Sequence, residues 1–439
     1  MSVNMKPKTR KVGFTIIWLG QLISLIGTGF TDFSLAIWVF EQTGQASPLA
    51  ITLLCSFAPS IFFSAFAGVI VDRFNRKNIL IITNTIDGII SLIIMLLYIV
   101  KLLDIWHLYL LTFISGICTA FQFPAYLASI TFLLPKSQYG RASGLISFAE
   151  SLPRVLAPFL GAVFLKLIGV PGILSFDIIT YLIVLIALFN VHIPQPKKEN
   201  QSDNKNYSYR QDLIYGFKYM TDRSSLLWLQ IIFATFNFLI GFSSGCLTAM
   251  ILLKTNNNQE TLSFVLSFGA IGGVIGSIVA SVWKGTKRKI DGLLGGTIIS
   301  NVGRLIVGIE GDAFTWLSGI FVLQFFTQIA NSSNQAIWQS KVAPTIQGRI
   351  FAIRRLIAQS SYPIGLILAG YSADHLFEPA FSQKSILSEI FAPVVGTKPG
   401  SGIGLMFVMA GSLGIAIGIA AYFINNIRNV EEILPDCVD

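Results

Sequence analysis

Polar and apolar positions in this chain are sorted into long blocks. They do not alternate at the period of two or 3.6 that a half-buried strand or helix shows. Twelve blocks are apolar almost throughout, at roughly 14–40, 49–71, 79–100, 106–130, 142–165, 172–193, 225–253, 260–283, 290–309, 313–337, 350–373 and 403–424. Each is about as long as a helix must be to cross a hydrocarbon core of about 30 Å. The pattern predicts an all-α membrane protein with twelve transmembrane helices. The first run follows a basic start, but it is too long for the apolar region of a signal peptide and no small-residue cleavage site follows it, so it reads as an uncleaved first helix.

The polar stretch 194–224, which opens PQPKKENQSDNKNYSYRQD, is much longer than the other interruptions between helices on its side. It divides the chain into an N-terminal segment 1–13, a six-helix half 14–193, the linker, a second half 225–424 and a tail 425–439. Late in the linker, Leu213, Phe217 and Met220 share one helical face, which predicts an amphipathic helix on the membrane surface. Short identities recur between the halves. Gly140-Arg141 matches Gly348-Arg349 at an offset of 208, Trp18-Leu19 matches Trp228-Leu229 at 210, and Ser56-Phe57 matches Ser267-Phe268 at 211. Two six-helix halves that both start on the same side are parallel repeats, an arrangement that places a central cavity between them.

Composition agrees with this reading. The chain has 439 residues, 53% hydrophobic and only 12% charged, where soluble domains carry about 25% charged residues. The net charge of +9 does not call for nucleic acid, because the basic residues follow topology. With the N-terminus inside, the inner segments hold 22 Lys and Arg and the six outer loops hold only Lys101, Lys166, Lys254, Lys384 and Lys398. The positive-inside rule then puts both termini in the cytoplasm. Cys55, Cys118, Cys246 and Cys437 match no metal or redox spacing, and no G-x-x-x-x-G-K-[ST] loop points to an ATP-driven pump.

One polar interruption carries more charge than topology requires. Residues 68–80 read GVIVDRFNRKNIL, with Asp72, Arg73, Arg76 and Lys77 close together after Gly68. This stretch resembles the G-x-x-x-D-R-x-x-R-[RK] signature of the major facilitator superfamily, and the twelve runs, the linker and the half-repeat agree. The resemblance implies that Asp72 latches the inner gate by meeting the positive N-terminal end of the eleventh helix near Arg349. Gly68, Arg73, Arg76 and Lys77 would serve the same gate. The matching turn of the second half, WKGTKRKID, has Trp283 where the acid would stand, so the latch is one-sided.

Within the superfamily the chain looks most like the macrolide-efflux and enterobactin-exporter group, through SLIGTGFTDFSLAIWVFEQTG at 24–44, GRIFAIRRL at 348–356 and PIGLILAGYSAD at 363–374. The fifth run carries Ala157-Pro158-Phe159-Leu160-Gly161-Ala162, a softened form of the antiporter signature G-P-x-x-G-G. There Pro158 permits a helix bend and Gly161 close packing. Proton-coupled relatives often carry an Arg in the fourth helix, where this chain has Ser115.

Ionisable residues inside a membrane are functional candidates by default. Glu150 and Arg154 lie i and i+4 in the fifth run, roughly 12 and 18 Å deep, and with Asp32 in the first run they are the proton-coupling candidates. Asp87, one turn beyond Asn84, reads as a hydrogen-bonding structural group, and Asp177 as structural near the outer end of the sixth run. Arg304, one turn beyond Asn301, is a cavity candidate. In the tenth run Gln324, Gln328, Asn331 and Gln335 form an uncharged polar stripe that hydrocarbon would not tolerate, and they are the other cavity candidates. Arg354 and Arg355, about one turn into the eleventh run, read as gate or topology residues that snorkel to the surface. The outer loop 374–402 is unusually long, and both a cap over the outward cavity and a neutral insertion fit its length.

The resemblance implies a secondary active transporter, not an enzyme, in a bacterial cytoplasmic membrane. It would need no cofactor, take its driving force from a proton gradient and work as a monomer. It would export an amphiphilic small molecule, drug-like or peptide, a siderophore among the possibilities. An importer or a lysophospholipid flippase of the same fold stays open as an alternative, as does a non-transporting scaffold or sensor.

Overall fold

The structure, a computed structural model, describes residues 7–134, 139–191, 217–283, 285–343, 346–383 and 385–434. Four helices open the chain: α1 (Pro7–Thr43), α2 (Ala46–Arg73), α3 (Arg76–Ile99) and α4 (Ile105–Leu133). The stretch Tyr139–Asn190 is one hydrogen-bonded run broken at Gly169, whose φ of 66° is non-helical. A side chain is strained there and glycine is not. We label its arms α5 (139–168) and α6 (170–190). Next come α7 (Ser224–Lys254), α8 (Gln259–Val282), α9 (Lys289–Gly308), α10 (Ala313–Lys341) and α11 (Gln347–Ser372). A π-helical turn (Ala373–Phe377) leads into the short α12 (Glu378–Ser382) and α13 (Ile386–Val395) before α14 (Ser401–Phe423), α15 (Asn425–Arg428) and α16 (Val430–Ile433).

Among the described residues, ten helical stretches are long and apolar enough to cross a membrane. One of the ten is the stretch broken at Gly169, which supplies two passes. The predicted eleventh span is not among the ten, because α11 carries Arg, Gln, Ser and Tyr on several faces. At 26 residues it is still long enough to cross.

The chain divides into two compact units, Met1–Thr43 with Ile51–Gln201, and Gly44–Ala50 with Ser202–Asp439. In the first, α1 packs on the α5–α6 arm, and α3 packs on that arm and on α4. In the second, α7 packs on α11, α9 on α10 and α14, and α8 on α10. In both units small residues permit close helix contacts. On α4, a Cβ at Gly116 would lie 2.4 Å from the Ser56 carbonyl of α2, and on α8 one at Gly276 would lie 2.5 Å from the Phe325 carbonyl of α10. Between α7 and α11 the fit is reciprocal, Gly241 against the Tyr362 carbonyl and Gly365 against that of Phe238.

The charged turn is built locally. Asn75 ends the α2–α3 connection as an N-cap, its Oδ1 accepting from the N–H groups of Lys77 (2.9 Å) and Asn78 (3.4 Å). Of the linker's predicted helix, Leu213 lies outside the described residues. Residues 217–221 are helical, with Phe217 exposed and Met220 buried in the core of the second unit. The long segment 374–402 is a folded element and not an open loop. Glu378 accepts from the N–H groups of Gly400 (3.1 Å) and Ile403 (2.8 Å), and so caps α14. Phe381 and Val395 bury against Leu405 of that helix. The predicted tail also folds back in part, since Lys341 Nζ donates to the Glu431 carbonyl at 2.7 Å.

Candidate functional site

The polar interior of the second unit is assembled from α7, α8, α9, α10 and α11. A cavity of about 470 Å³ lies between α8, α10 and α11, with Phe233 of α7 on one wall. Helix α10 contributes Gln328, Asn331, Ser332 and Gln335, and α8 contributes Ser277 and Ser281. A helix places i, i+3 and i+7 on one side, so Gln328, Asn331 and Gln335, three of the four predicted stripe residues, line this cavity together. Gln324 does not. It lies against α8, where a Cβ at Gly269 would sit 3.6 Å from its Cγ. The stripe was read as one face, but the close α8–α10 contact takes its outer end.

Arg354 also corrects the reading. It does not snorkel to a surface but lines the cavity, where its Nη1 donates to Gln335 Oε1 at 2.8 Å. Its guanidinium lies 5.1 Å from the ring centre of Trp338 and 5.7 Å from that of Phe351, within cation–π range. Local sequence gave no sign of this, because the ring and the amide come from α10. Arg355, its neighbour, is exposed and donates to Gln359 one turn on.

A smaller cavity of about 70 Å³ adjoins the first and shares Phe233 and Asn331 with it. Arg304 lines it beside Asn237, Thr297 and Ser300. Arg304 is 2% exposed and its Nη1 donates to Asn301 Oδ1, while its Nε has no partner.

The first unit carries acids instead. Asp87 of α3 accepts from two groups of α4, Ser115 Oγ at 2.8 Å and Gln122 Nε2 at 2.7 Å. The serine standing where many relatives have an arginine thus serves the Asp87 carboxylate. Asp177 of α6 is fully enclosed and accepts from Ser91 of α3 at 2.8 Å and Thr28 of α1 at 3.4 Å. Tyr181 shares a 3.0 Å hydrogen bond with the same threonine. Asp32 is exposed on α1. Glu150 and Arg154 are both exposed on α5, and no ion pair joins them. Gly161 takes the packing role expected of it, a Cβ there falling 3.0 Å from Phe33 of α1, and Pro158 sits beside it half-buried.

Of the gate residues, Gly68 lies on α2, and its surroundings and the side chains of Asp72, Arg73 and Arg349 lie outside what the structure describes. Arg76 is buried. Lys77 is engaged within its own unit, where its Nζ donates to the carbonyls of Phe189 (3.1 Å) and Val191 (2.9 Å) at the end of α6. A cation suits that negative helix end. One capping contact was invisible in the sequence. Asp374, just past α11, accepts from the N–H groups of Ala46 (2.9 Å) and Ser47 (2.7 Å) and so caps α2, whose first turn belongs to the second unit.

A multi-pass helical protein with a repeated packing scheme and a polar cavity inside its membrane-crossing helices has the architecture of a transporter. The chain belongs to the Major Facilitator Superfamily, whose family model matches residues 17–366. It is 23% identical to macrolide efflux protein A of Streptococcus pyogenes over 96% of this chain and 98% of that protein. It is 23% identical to the staphyloferrin A transporter of Staphylococcus aureus, covering 82% and 87%. It is 20% identical to the enterobactin exporter of Citrobacter koseri, covering 81% and 84%. Among solved structures, a mutant of the nucleoside transporter NupG superposes with a TM-score of 0.73 at 11% identity, covering 93% of this chain and 99% of that one. A bacterial homologue of the lysosomal transporter Spinster superposes at 0.69 with 16% identity, covering 95% and 97%. At these identities the structural likenesses carry the fold alone.

Proposed function

We propose that this protein exports an amphiphilic small molecule from the bacterial cytoplasm, with both termini inside, by antiport against protons. The observation that carries the reading is the cavity of the second unit. Its amides, hydroxyls and guanidinium match the polar part of an amphiphile and the Phe233 wall its apolar part, and they sit on helices that would otherwise face hydrocarbon or protein. The names of the efflux and siderophore-export relatives support the outward direction. Proton coupling falls to the acids of the first unit. Asp32 and Glu150 are accessible, while Asp87 and Asp177 are held by hydroxyl and amide donors. Carboxylates within a membrane protein are typical sites of proton relay.

The test is accumulation of a panel of labelled amphiphiles in efflux-deficient bacteria expressing the chain, with and without a protonophore. The reading expects lower accumulation of at least one compound, restored by the protonophore and by Asp32→Asn. Higher accumulation on expression would overturn export in favour of import, and an effect indifferent to the protonophore would overturn proton coupling.

A further inference from the structure

We infer that the adjoining cavities of the second unit receive the anionic group, a carboxylate or a phosphate, of an amphiphilic ligand, with Arg304 and Arg354 as its cationic contacts. This rests on the transporter reading for the identity of the ligand as cargo, but not on the direction of transport.

The inference starts from unbalanced charge. A guanidinium has five N–H donors and stays protonated in proteins. Burying it is expensive unless a carboxylate or several acceptors compensate. Arg304 is almost wholly buried, donates to one amide oxygen, and leaves its Nε without a partner. Arg354 donates to one amide oxygen and otherwise meets aromatic faces. Neither has a carboxylate partner among the described residues, and no Asp or Glu lines either cavity.

The same unit shows what a balanced buried cation looks like. Lys254, also enclosed, pairs with Glu310 at 3.3 Å and donates to the Val395 carbonyl at 3.1 Å. Lys341, buried as well, donates to the carbonyls of Glu431 and Leu434. These structural cations each meet two acceptors, whereas each arginine meets a single amide oxygen, and both guanidiniums line space. The two cavities share Phe233 and Asn331, so one ligand can reach both. A planar guanidinium fork matches carboxylate and phosphate oxygens. The Trp338 and Phe351 rings beneath Arg354 hold its plane while leaving its edge available. The anionic head sits where the two cavities meet at Phe233 and Asn331, with Arg304 on the smaller side and Arg354 on the larger. The larger takes the body, among Phe233 and the amides of α10.

The test is a matched pair of fluorescent probes, dansylglycine and its primary amide, titrated onto the full-length protein in a maltoside detergent. They differ only in the carboxylate. The inference expects the acid to bind at least tenfold more tightly than the amide. Arg354→Gln and Arg304→Gln should each reduce that ratio to below about threefold, while Arg355→Gln, exposed and outside the lining, leaves it unchanged. Equal binding of the two probes by the wild type overturns the inference. So does a ratio that survives both Arg→Gln changes. The wild-type ratio needs no variant to fold, and Arg304→Lys keeps the charge should Arg304→Gln prove unstable. Repeating the titration in nanodiscs with and without phosphatidylglycerol separates the sources of the anion. Competition assigns the site to a lipid phosphate, and its absence assigns the site to soluble cargo. A retained acid preference in a protein that fails to export would sink the export reading and leave the anion site standing.

Discussion

The two units fold by one scheme and fill it with opposite charge. On α3 of the first, Asn84 precedes Asp87 by one turn. On α9 of the second, Asn301 precedes Arg304 by the same spacing. Each asparagine back-bonds to the carbonyl four residues earlier, Leu80 at 2.7 Å and Thr297 at 2.9 Å. Around Asp87 and Asp177 the neighbouring helices supply donors, in Ser91, Ser115, Gln122 and Thr28. Around Arg304 and Arg354 the helices supply one amide acceptor each. The buried acids meet several donors, whereas Arg304 keeps a buried Nε without a partner and Arg354 turns to a cavity. Repetition of a backbone scheme therefore does not repeat a site. One unit buries carboxylates among donors, the other places guanidiniums along cavities.

The largest effect should come from inverting the second unit. Arg354→Glu places a carboxylate in the cavity next to Gln335 and should reduce efflux of any cargo found by at least tenfold. Protein amount, checked by fluorescence size exclusion, should stay within twofold. Next, Asp177→Leu strands the buried hydroxyl of Ser91, and a buried unsatisfied group costs about 1–3 kcal/mol. Thermal unfolding in detergent should occur several degrees lower, whereas Asp177→Asn, which retains an acceptor, should lose less. Gly241→Val attacks the shared packing and not the charges. Its side chain meets the Tyr362 backbone, so a cost of about 1–3 kcal/mol is expected, and the unfolding temperature reports it. Asp374→Ala removes the α2 cap and should cost about 1 kcal/mol, again read by thermal unfolding.

The smallest effect is a pH dependence at Glu378, outside the membrane. Burial raises its pKa, and hydrogen bonds from Ile403 and Gly400 only partly oppose this. A carboxylate whose folded pKa is raised binds a proton more tightly in the folded state. Its contribution is thus present in full at pH below the ordinary glutamate range and is lost as pH rises through the folded value. Unfolding of the wild type should shift slightly upward on acidification relative to Glu378→Gln. An equal slope in both proteins would count against the assignment.

Much of the fold was legible because a membrane demands long apolar runs, and such runs need no long-range information to read. The polar stripe of α10 was legible for the complementary reason, since amides at helical spacing stand out in an apolar run. What failed was everything decided by a partner distant in sequence. Gln324 shares the spacing of Gln328 but meets the Gly269 gap of α8. Arg354 looked like a surface residue one turn from a helix end, until Gln335 and Trp338 of another helix placed it in a cavity. Asp374 and Ala46 are separated by 328 positions, and no local pattern joins them. The outer segment 374–402 read as loop because its helices are short and interrupted by Pro379, Pro393 and Gly396.

The most direct test of the division of labour is dansylglycine affinity as a function of pH for the wild type, Asp32→Asn and Arg354→Gln. The probe's carboxylate stays ionised from pH 6 to 8, so any pH dependence belongs to the protein. With protons and ligand competing through different units, wild-type affinity should fall several-fold on going from pH 8 to pH 6. Asp32→Asn should keep the affinity and lose the slope, and Arg354→Gln should lose the affinity at every pH. If Asp32→Asn retained the full slope, or if both variants lost affinity alike, the assignment of protons to one unit and ligand to the other would be contradicted.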